Sequence, residues 1–448
     1  MIKAPFYVVA LSLSLIISGC GTSHRALFTK TPATYSYIFG EAQGSRITAD
    51  HNADIYITPA SCLKVLTAAL AYKVLGADYR YETKLYQTKK GNKIEDVVIS
   101  FAGDPTFSSE DLEHLFEEYS GRNVSRIILN RSLFKTPDYS NDIIIGDIGS
   151  SYAGPVSAAS IDGNALHLLV TPGVCIVQDG FMKCVNAEIV SDTKYKLSAS
   201  VATDDKPTSI KLTWCENSLH ISGNIKNTDK PRKLRRYIRE LDPYLLHKTQ
   251  SILNKLKIRG KIMVVKDENL LPKNMQFIKS HRSRILAEIV PPAFKSSDNF
   301  VFDAIYLTLV HTKKNIKEWS EGSDIIKNMF KESFDLDLGG ALIVDGSGLS
   351  RYNKIQTKQL YNILTKGSAT QEFVESFARP GDKESTAEKR TDLPEGVRVK
   401  TGALLGVKCL CGYDSSVSKA FAIVVSGYSA DALGIESDVS AFVSEKLR

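Results

Sequence analysis

The 448-residue sequence predicts an α+β protein of two or three domains, one of which is interrupted by a long insertion. Three consecutive strand-like runs near the C-terminus predict a sheet. Helix-forming runs follow Ser61 and span Tyr244 to Lys257, where apolar residues recur at helical spacing. The third observation is that 236 residues separate two short motifs that begin at Ser61 and Ser297, more than one compact domain requires.

The first motif is Ser61-Cys62-Leu63-Lys64, which opens the helix-forming run 65–71 and is followed by Gly76 as a natural helix end. On a helix, residues three apart share one face, so the side chains of Ser61 and Lys64 are expected to meet. Burial lowers a lysine pKa, which leaves a neutral amine that can accept the serine proton. Taken alone, the string also fits an N-cap serine with a solvated lysine one turn later.

The second and third motifs are Ser297-Asp298-Asn299 and Lys400-Thr401-Gly402. The third lies in the first of the C-terminal strand-like runs, which span 397–402, 407–413 and 421–428. A lysine and a threonine on a strand, followed by a glycine that lets backbone approach a ligand, form a carboxylate-binding edge. By itself the third string is also ordinary edge-strand sequence. Together the three motifs supply a nucleophile, a base and a substrate anchor, the parts that serine acyl transfer needs.

Bulk properties favour a globular protein without a nucleic-acid partner. The net charge of +7 is modest, and 43% of the residues are hydrophobic. The densest basic run, 230–236, has neither interleaved aromatic residues nor a nucleic-acid-binding motif, so we expect a solvated helical face there. The eight histidines are scattered and no His-Glu-x-x-His string is present, so we predict no metal and no cofactor.

The N-terminus has the features of an export signal. Lys3 supplies the positive charge, 6–17 form the apolar core, and Ile17-Ser18-Gly19-Cys20 ends the segment. This ending resembles a bacterial lipobox, which implies cleavage before Cys20 and a lipid anchor on its thiol. A plain secretory peptide with cleavage near Cys20 is the alternative. Because no Asp follows Cys20, the resemblance implies attachment to the outer membrane of a Gram-negative bacterium, on its periplasmic face.

One of the possible cysteine pairs is predicted by local geometry. Asp179-Gly180 is a hairpin turn signal, and pairing outward from it places Cys175 opposite Cys184. Cross-strand neighbours at such a position are close enough for a disulfide, which an oxidising compartment would favour. Cys409 and Cys411 share one face of a strand and are expected to be packed free thiols.

Longer strings in a fixed order reveal a family resemblance from about Tyr35 to the C-terminus. They are Gly103–Thr106, Ala153–Ala158, Ser297–Asp303 and Asp345–Arg351. With the three motifs, they make the chain similar to class C low-molecular-mass penicillin-binding proteins, the D-alanyl-D-alanine carboxypeptidases/endopeptidases of the penicillin-binding protein 4 type (peptidase family S13). The resemblance implies a transpeptidase/β-lactamase-like domain, an antiparallel sheet flanked by helices, with two nested inserted domains.

The predicted division is a signal peptide at 1–19, the catalytic domain at 20–80 and 285–448, and the inserted domains at 81–284. The implied substrates are peptidoglycan stem peptides that end in D-Ala-D-Ala, and β-lactams are the implied covalent inhibitors. A β-lactamase would share the motifs but has a short gap between the first two. A non-catalytic peptidoglycan-binding scaffold would have no use for a base paired with a nucleophile.

The resemblance also implies residue roles. Ser61 attacks the penultimate D-Ala carbonyl, Lys64 takes its proton, Ser297 relays the proton to the leaving amine, and Asn299 holds the substrate amide. Lys400 and Thr401 bind the terminal carboxylate. The N–H groups of Ser61 and Ala403 form the oxyanion hole beside Gly402.

Four further positions follow the pattern of a pocket for the stem-peptide diamino acid. Asp147 and Tyr152 keep the family spacing, so Asp147 would pair with the free ammonium of meso-diaminopimelate and Arg351 with its carboxylate. Leu404 takes the apolar position beside the Lys-Thr-Gly motif. Asp147 also fits a simple turn-capping role in 146–149. The chain departs from many relatives at Cys62, where they carry Thr or Gln, and at Ala403, where they carry Ser or Thr.

Overall fold

The computed structural model describes residues 32–44, 46–178, 181–191, 197–216, 218–428 and 432–448, which contain eighteen strands and nine α-helices. The strands are β1 Thr34–Glu41, β2 Ile47–His51, β3 Glu82–Lys90, β4 Lys93–Ser100, β5 Asn123–Asn130, β6 Ala165–Thr171, β7 Cys175–Gln178, β8 Phe181–Cys184, β9 Glu188–Ser191, β10 Leu197–Asp204, β11 Ser209–Cys215, β12 Ser218–Lys226, β13 Arg232–Tyr237, β14 Arg259–Val265, β15 Gln276–Arg282, β16 Arg398–Leu404, β17 Val407–Tyr413 and β18 Lys419–Ser426. The helices are α1 Lys64–Leu70, α2 Ser109–Phe116, α3 Leu241–Lys255, α4 Leu286–Ser296, α5 Asn299–His311, α6 Gly322–Phe334, α7 Thr357–Gly367, α8 Gln371–Glu375 and α9 Ala432–Leu447.

Strands from both ends of the chain form one five-stranded sheet, which we call the terminal sheet. Its order is β16-β17-β18-β1-β2, and each neighbouring pair is antiparallel. The three C-terminal strands predicted from the sequence are all present, at nearly the predicted positions. Because β1 pairs with β18 along eight residues, the two ends of the chain are held in one unit.

Helices cover both faces of the terminal sheet. Alternate residues of its strands, such as Ile38 and Val424, join the apolar core around α1, α5 and α7. Their neighbours, such as Phe39 and Ile423, pack instead against the buried side of α9. Side chains of a strand alternate between faces, so a sheet with apolar residues at nearly every position requires a layer on each side. The α+β fold with an antiparallel sheet between helices is confirmed.

The segment between β2 and α4 contributes the other sheets. A five-stranded sheet has the order β14-β5-β4-β3-β15, and smaller sheets have the orders β13-β6-β9, β10-β12-β11 and β7-β8. Apolar residues of α2, α3 and all of these sheets except β7-β8 share one buried cluster. The sheet that contains β3 and β15 lies within 81–284, which supports the predicted insertion; the boundaries themselves stay a prediction.

The β7–β8 hairpin aligns Cys175 with Cys184, and the two residues are joined in a disulfide. This is the pair that the hairpin register predicts. Its predicted turn, 179–180, lies outside the described residues, as do the export signal and Cys20. Within the described ranges, no helix is both long and apolar enough to cross a bilayer.

The basic run 230–236 is not a helical face, and that prediction is wrong. Residues 232–237 form strand β13, which pairs with β6 in antiparallel register. Strand pairing with a segment more than 60 positions away overrides the local helical preference of Lys, Leu and Arg. The strand also carries Arg235 to the second motif, where it bridges Asp298.

Candidate active site

Ser61 lies in a tight turn that immediately precedes helix α1. Residues 60–63 form one turn of 3-10 helix, and α1 begins at Lys64. The described hydrogen bonds include no capping bond from the Ser61 side chain, and Lys64 is fully buried (0% exposed) rather than solvated. The reading of this string as a helix cap with a surface lysine therefore does not describe the fold.

The Lys64 amine has three polar neighbours that match the hydrogen-bonding capacity of a neutral amine. Its Nζ lies 3.0 Å from Ser61 Oγ, 2.7 Å from Asn299 Oδ1 and 2.7 Å from the carbonyl oxygen of Ser347. The last two atoms can only accept, so they take the two N–H groups of a neutral amine. The remaining lone pair then faces the Ser61 hydroxyl, which can donate its proton to it.

Burial, together with the nearby charge of Lys400, lowers the pKa of Lys64 to about 7. The acids Asp303 and Asp345 oppose this effect. Asp303 is itself buried, and burial together with repulsion from Asp345 raises its pKa well above the ordinary range. A neutral amine beside a protonated acid is the arrangement that a site of low dielectric favours.

The Ser347 carbonyl is held in place by a loop that the sequence reasoning used only for the family resemblance. Asp303 accepts the N–H of Gly346 (3.0 Å), and Asp345 accepts the N–H groups of Gly348 (2.7 Å) and Ser350 (2.6 Å). The two acids thus fix the loop that contacts Lys64. The glycine-rich string 345–351 and the acid at 303 were visible in the sequence, but nothing there indicated that a backbone carbonyl would contact the base.

The second motif occupies the junction of α4 and α5. Ser297 ends α4 in the left-handed region, with φ 62°, and Asp298 caps α5 by accepting the N–H of Val301 (3.3 Å). Asn299 begins α5; its Oδ1 accepts from Lys64 and its Nδ2 donates to the carbonyl of Tyr152 at 2.9 Å. Asn299 therefore links the buried amine to the inserted region.

The inserted region reaches the same junction through β13. Arg235 Nη1 lies 2.8 Å from Asp298 Oδ2, and the Arg235 guanidinium stacks over the Tyr237 ring with 4.8 Å between their centres. Asp298 thus caps α5 and receives a cation from the insertion. The contact fixes the second motif from outside the terminal sheet.

Lys400 extends from β16 into the same buried region. Its Nζ lies 3.0 Å from Ser297 Oγ and 2.6 Å from the carbonyl oxygen of Thr401. Lys400 is 1% exposed, and burial lowers its pKa. The ammonium also lies over the ring of Phe294, 5.7 Å from its centre, which compensates in part for lost hydration.

The strand register separates the residues of the third motif between two faces. Lys400 and Gly402 pair with Cys411 and Cys409, whose thiols are buried on the α1 side of the terminal sheet. Thr401 and Ala403 pair with residues 410 and 408, on the α9 side. A Cβ at Gly402 would lie 2.8 Å from the Ser61 nitrogen, so glycine allows β16 to pack against the turn 60–63.

The buried free thiols of Cys62, Cys409 and Cys411 are packing groups, as predicted for Cys409 and Cys411. Cys62 Sγ lies 3.4 Å from the Lys400 carbonyl oxygen, and Cys409 Sγ lies 2.7 Å from that of Pro59. Burial raises the pKa of Cys62 and of Cys409 well above the ordinary value. Both thiols therefore stay protonated and donate hydrogen bonds, which link the chain around the turn 60–63 to the terminal sheet.

The predicted specificity residues surround one cleft of about 630 Å³ that also reaches Asn299 and Ala403; they are Asp147, Tyr152, Arg351 and Leu404. Tyr152 donates from its hydroxyl to Asp147 Oδ1 at 2.6 Å, and Arg351 donates to the carbonyl of Leu405 at 3.0 Å. The described hydrogen bonds of these two charged side chains are made within the cleft wall. Leu405, which the sequence reasoning missed, is 88% exposed at the rim.

A serine hydroxyl lies beside a buried amine, and a strand that carries a second lysine borders the same site. This is the arrangement of serine enzymes that react through an acyl intermediate, here on the penicillin-binding fold. A model of the D-Ala-D-Ala carboxypeptidase 3 (S13) family matches residues 31–445, and the chain belongs to that family. It is accordingly a serine-type D-Ala-D-Ala carboxypeptidase.

Individual relatives agree over most of the chain. D-alanyl-D-alanine carboxypeptidase DacB of Haemophilus influenzae is 25% identical over 418 residues, which cover 86% of this chain and 84% of the relative. A D-alanyl-D-alanine carboxypeptidase of an Actinomadura species is 24% identical over 428 residues, with 87% of this chain and 77% of the relative covered. The crystal structure of penicillin binding protein 4 (dacB) from Haemophilus influenzae superposes with a TM-score of 0.76 at 23% identity and covers 94% of this chain and 98% of its own.

Proposed function

We propose that this enzyme trims peptidoglycan stem peptides by removing their terminal D-Ala through an acyl-enzyme on Ser61. The observation that carries the proposal is the buried Lys64 amine, 3.0 Å from the Ser61 hydroxyl and with its two N–H groups engaged by acceptors. Its pKa of about 7 leaves it able to accept a proton at neutral pH.

In the acylation step, Ser61 Oγ attacks the carbonyl carbon of the penultimate D-Ala while its proton passes to Lys64 Nζ. The N–H groups of Ser61 and Ala403 stabilise the oxyanion, a contribution of roughly 2.7–4 kcal/mol per donor. The close approach of Gly402 to the Ser61 nitrogen supports this arrangement.

Collapse of the tetrahedral intermediate breaks the peptide bond, and the leaving amine receives a proton from Ser297. Ser297 relays to the amine the proton that Lys64 took from Ser61, so Lys64 is neutral again, and the 3.0 Å contact with Lys400 holds the Ser297 hydroxyl in place. Lys400 and Thr401 orient the terminal carboxylate, and Asn299 holds the substrate amide. Water then attacks the ester while its proton passes to Lys64 Nζ, and Lys64 returns that proton to Ser61 Oγ as the ester bond breaks and the shortened peptide leaves.

We further propose that the 630 Å³ cleft selects the diamino acid of the stem peptide. Asp147 would take its free ammonium and Arg351 its carboxylate, while Leu404 packs on the methylene chain. The same cleft is open at its rim, which supports DD-endopeptidase action on crosslinked peptides as a second activity of the same site. The proposed inhibitors are β-lactams; a crystal structure of the Haemophilus influenzae protein with a β-lactam, 22% identical, shares the fold.

The export signal and the lipobox-like ending at Cys20 support a location on the periplasmic face of a membrane, with a lipid anchor. The outer membrane is the proposed site of attachment, because no Asp follows Cys20. Metabolic labelling with a fatty-acid analogue, comparing the natural chain with Cys20→Ala, tests the anchor. Label on both chains, or on neither, would contradict it.

Purified crosslinked muropeptides provide the direct test of function. Mass analysis after digestion is expected to show loss of terminal D-Ala, with opened crosslinks if the endopeptidase activity is present. Unchanged muropeptides, under conditions where labelled penicillin still binds, would contradict hydrolysis.

Labelled penicillin separates the remaining alternatives. A long-lived label that disappears in Ser61→Ala supports the peptidase. Rapid turnover of the label would favour a β-lactamase, and absence of label would favour a binding scaffold.

A further inference from the structure

A second pocket of about 310 Å³ lies on the α9 face of β16, next to the proposed proton relay. Its wall includes Ser297, Thr401 and Ala403, and its far side is formed by Lys408 on β17 and Glu436 on α9. The side chains proposed to bind the diamino acid, Asp147 and Arg351, line a different cleft. This pocket therefore adjoins the site where the proposed reaction releases its amine.

The register of the terminal sheet brings Lys408 to this pocket. Lys408 pairs directly with Ala403, so both side chains project from the same face as Thr401. The methyl group of Ala403 can neither donate nor accept a hydrogen bond, and it leaves the space between Thr401 and Lys408 unfilled. Any polar ligand of this space must be bound by its neighbours.

The charges around the pocket favour an anion. Its lining contains two cations, Lys408 and Arg390, and both contact the single acid Glu436: Lys408 Nζ lies 2.8 Å from Oε2 and Arg390 Nη1 lies 3.3 Å from Oε1. Two cations of the lining thus face one acid of the lining, and Arg390 also contacts Asp392, which lies outside the lining, at 3.5 Å. The Lys400 nitrogen also contacts Ser297 and the Thr401 carbonyl, so a second, more exposed cation can share the binding of a carboxylate with it. The Lys408 side chain is 21% exposed and can reach a ligand.

We propose that this pocket receives the leaving group, and that Lys408 together with Thr401 binds its free carboxylate. The ligand class is a D-configured residue with an unblocked α-carboxylate, either terminal D-Ala or the D-centre of a crosslinked diamino acid. Before substrate enters, the Glu436 carboxylate forms an ion pair with the Lys408 ammonium. The incoming carboxylate competes with Glu436 for it. This inference rests on the proposed function, whose site it extends.

Two synthetic substrates that differ only at the leaving residue test the proposal: an acyl-D-Ala-D-Ala peptide and its C-terminal amide. Lys408→Met should lower kcat/KM for the acid by roughly tenfold or more, the range of a lost charge-assisted hydrogen bond, and should change the amide by less than about twofold. Lys408→Arg should restore most of the loss. Lys419→Met, on the neighbouring strand β18 and outside the pocket lining, is the matched control and should affect neither substrate.

Two further variants separate attraction by Lys408 from repulsion by an unmasked Glu436. Glu436→Gln alone removes the competitor and should raise kcat/KM for the acid, a result that also stands if Lys408→Met folds poorly. The double variant Lys408→Met/Glu436→Gln should still lose selectivity for the acid. Equal losses on acid and amide, or an unchanged acid rate in both Lys408→Met and Glu436→Gln, would overturn the inference. Hydrolysis by the natural enzyme would remain intact in that case, so the proposed function is judged separately.

Discussion

The buried floor of the active-site cleft and its exposed rim differ in how their side chains are held. At the floor, formed by Ser61, Lys64, Asn299 and Lys400, each polar side chain contacts another protein group at 2.6–3.0 Å. At the rim, Tyr152 is 45% exposed and Leu405 is 88% exposed. The floor is thus organised before substrate arrives, whereas the rim still has surface to bury against a ligand.

The contrast separates the residues that carry out the chemistry from those that select the substrate. Pre-organised dipoles in a site of low dielectric stabilise the transition state without reorganising, so substitutions at the floor of the cleft should affect turnover. Solvated side chains at the rim contribute modest binding energy, so changes there should affect the choice of substrate. The expected effects of substitution therefore decrease from the floor of the cleft to its rim.

The largest effect is expected at the Ser61–Lys64 pair. Ser61→Ala removes the nucleophile and Lys64→Met removes its base, and each should lower kcat/KM by a factor on the order of 10⁴ or more. Lys73→Met, an exposed lysine in the turn after α1, is the matched control and should retain full activity. Steady-state hydrolysis of an acyl-D-Ala-D-Ala peptide measures both, and a Lys64→Met enzyme with a tenth of the natural activity would refute the assignment of the base.

A smaller but more diagnostic effect is expected at Asn299. Asn299→Asp places a carboxylate beside the Lys64 amine, which raises the lysine pKa and keeps it protonated near neutral pH. We expect kcat/KM at pH 7 to fall by roughly 10²-fold, with partial recovery at higher pH. Asn315→Asp, at an exposed position beyond α5, is the control. A pH profile identical to that of the natural enzyme would show that Asn299 does not set the charge of the base.

The pH dependence of the natural enzyme follows from the lowered Lys64 pKa. The active form is the neutral amine, so kcat/KM should be nearly constant above pH 7 and fall about tenfold per unit below it. A lysine with its ordinary pKa would instead give activity that keeps rising up to about pH 10. Acylation rates measured with penicillin between pH 5 and 9 should share the same acidic limb.

The smallest effect is expected at the rim. Asp147→Asn keeps an acceptor for the Tyr152 hydroxyl but removes the charge. We predict a loss of roughly three- to tenfold in kcat/KM for stem peptides with a free ammonium on the diamino acid, and no loss when that amine is acetylated. An equal loss for both peptides would mean that Asp147 only caps its turn, the alternative that the sequence left open.

Much of the site was predictable because the catalytic groups lie in short strings with a local structural reason. The i, i+3 spacing of Ser61 and Lys64 required a helical turn, and the C-terminal strands were marked by their apolar composition. The basic run 230–236 was misread because most of it lies in strand β13, whose partner strand β6 is distant in sequence and supplies the pairing that decides its conformation. Local composition cannot register such a partner.

The inventory of the site follows from the sequence alone: two serines, two lysines, an asparagine and a threonine in an order that fits one family, and a hairpin that brings two cysteines together. The protonation of these groups and their neighbours depend on the tertiary fold. Burial of Lys64 between two acceptors, the Ser347 carbonyl that completes its contacts, and the placement of Lys408 opposite Ala403 all arise from segments far apart in the chain. Solvent exclusion and strand register are properties of the packed whole, and for that reason they cannot be read from any single motif.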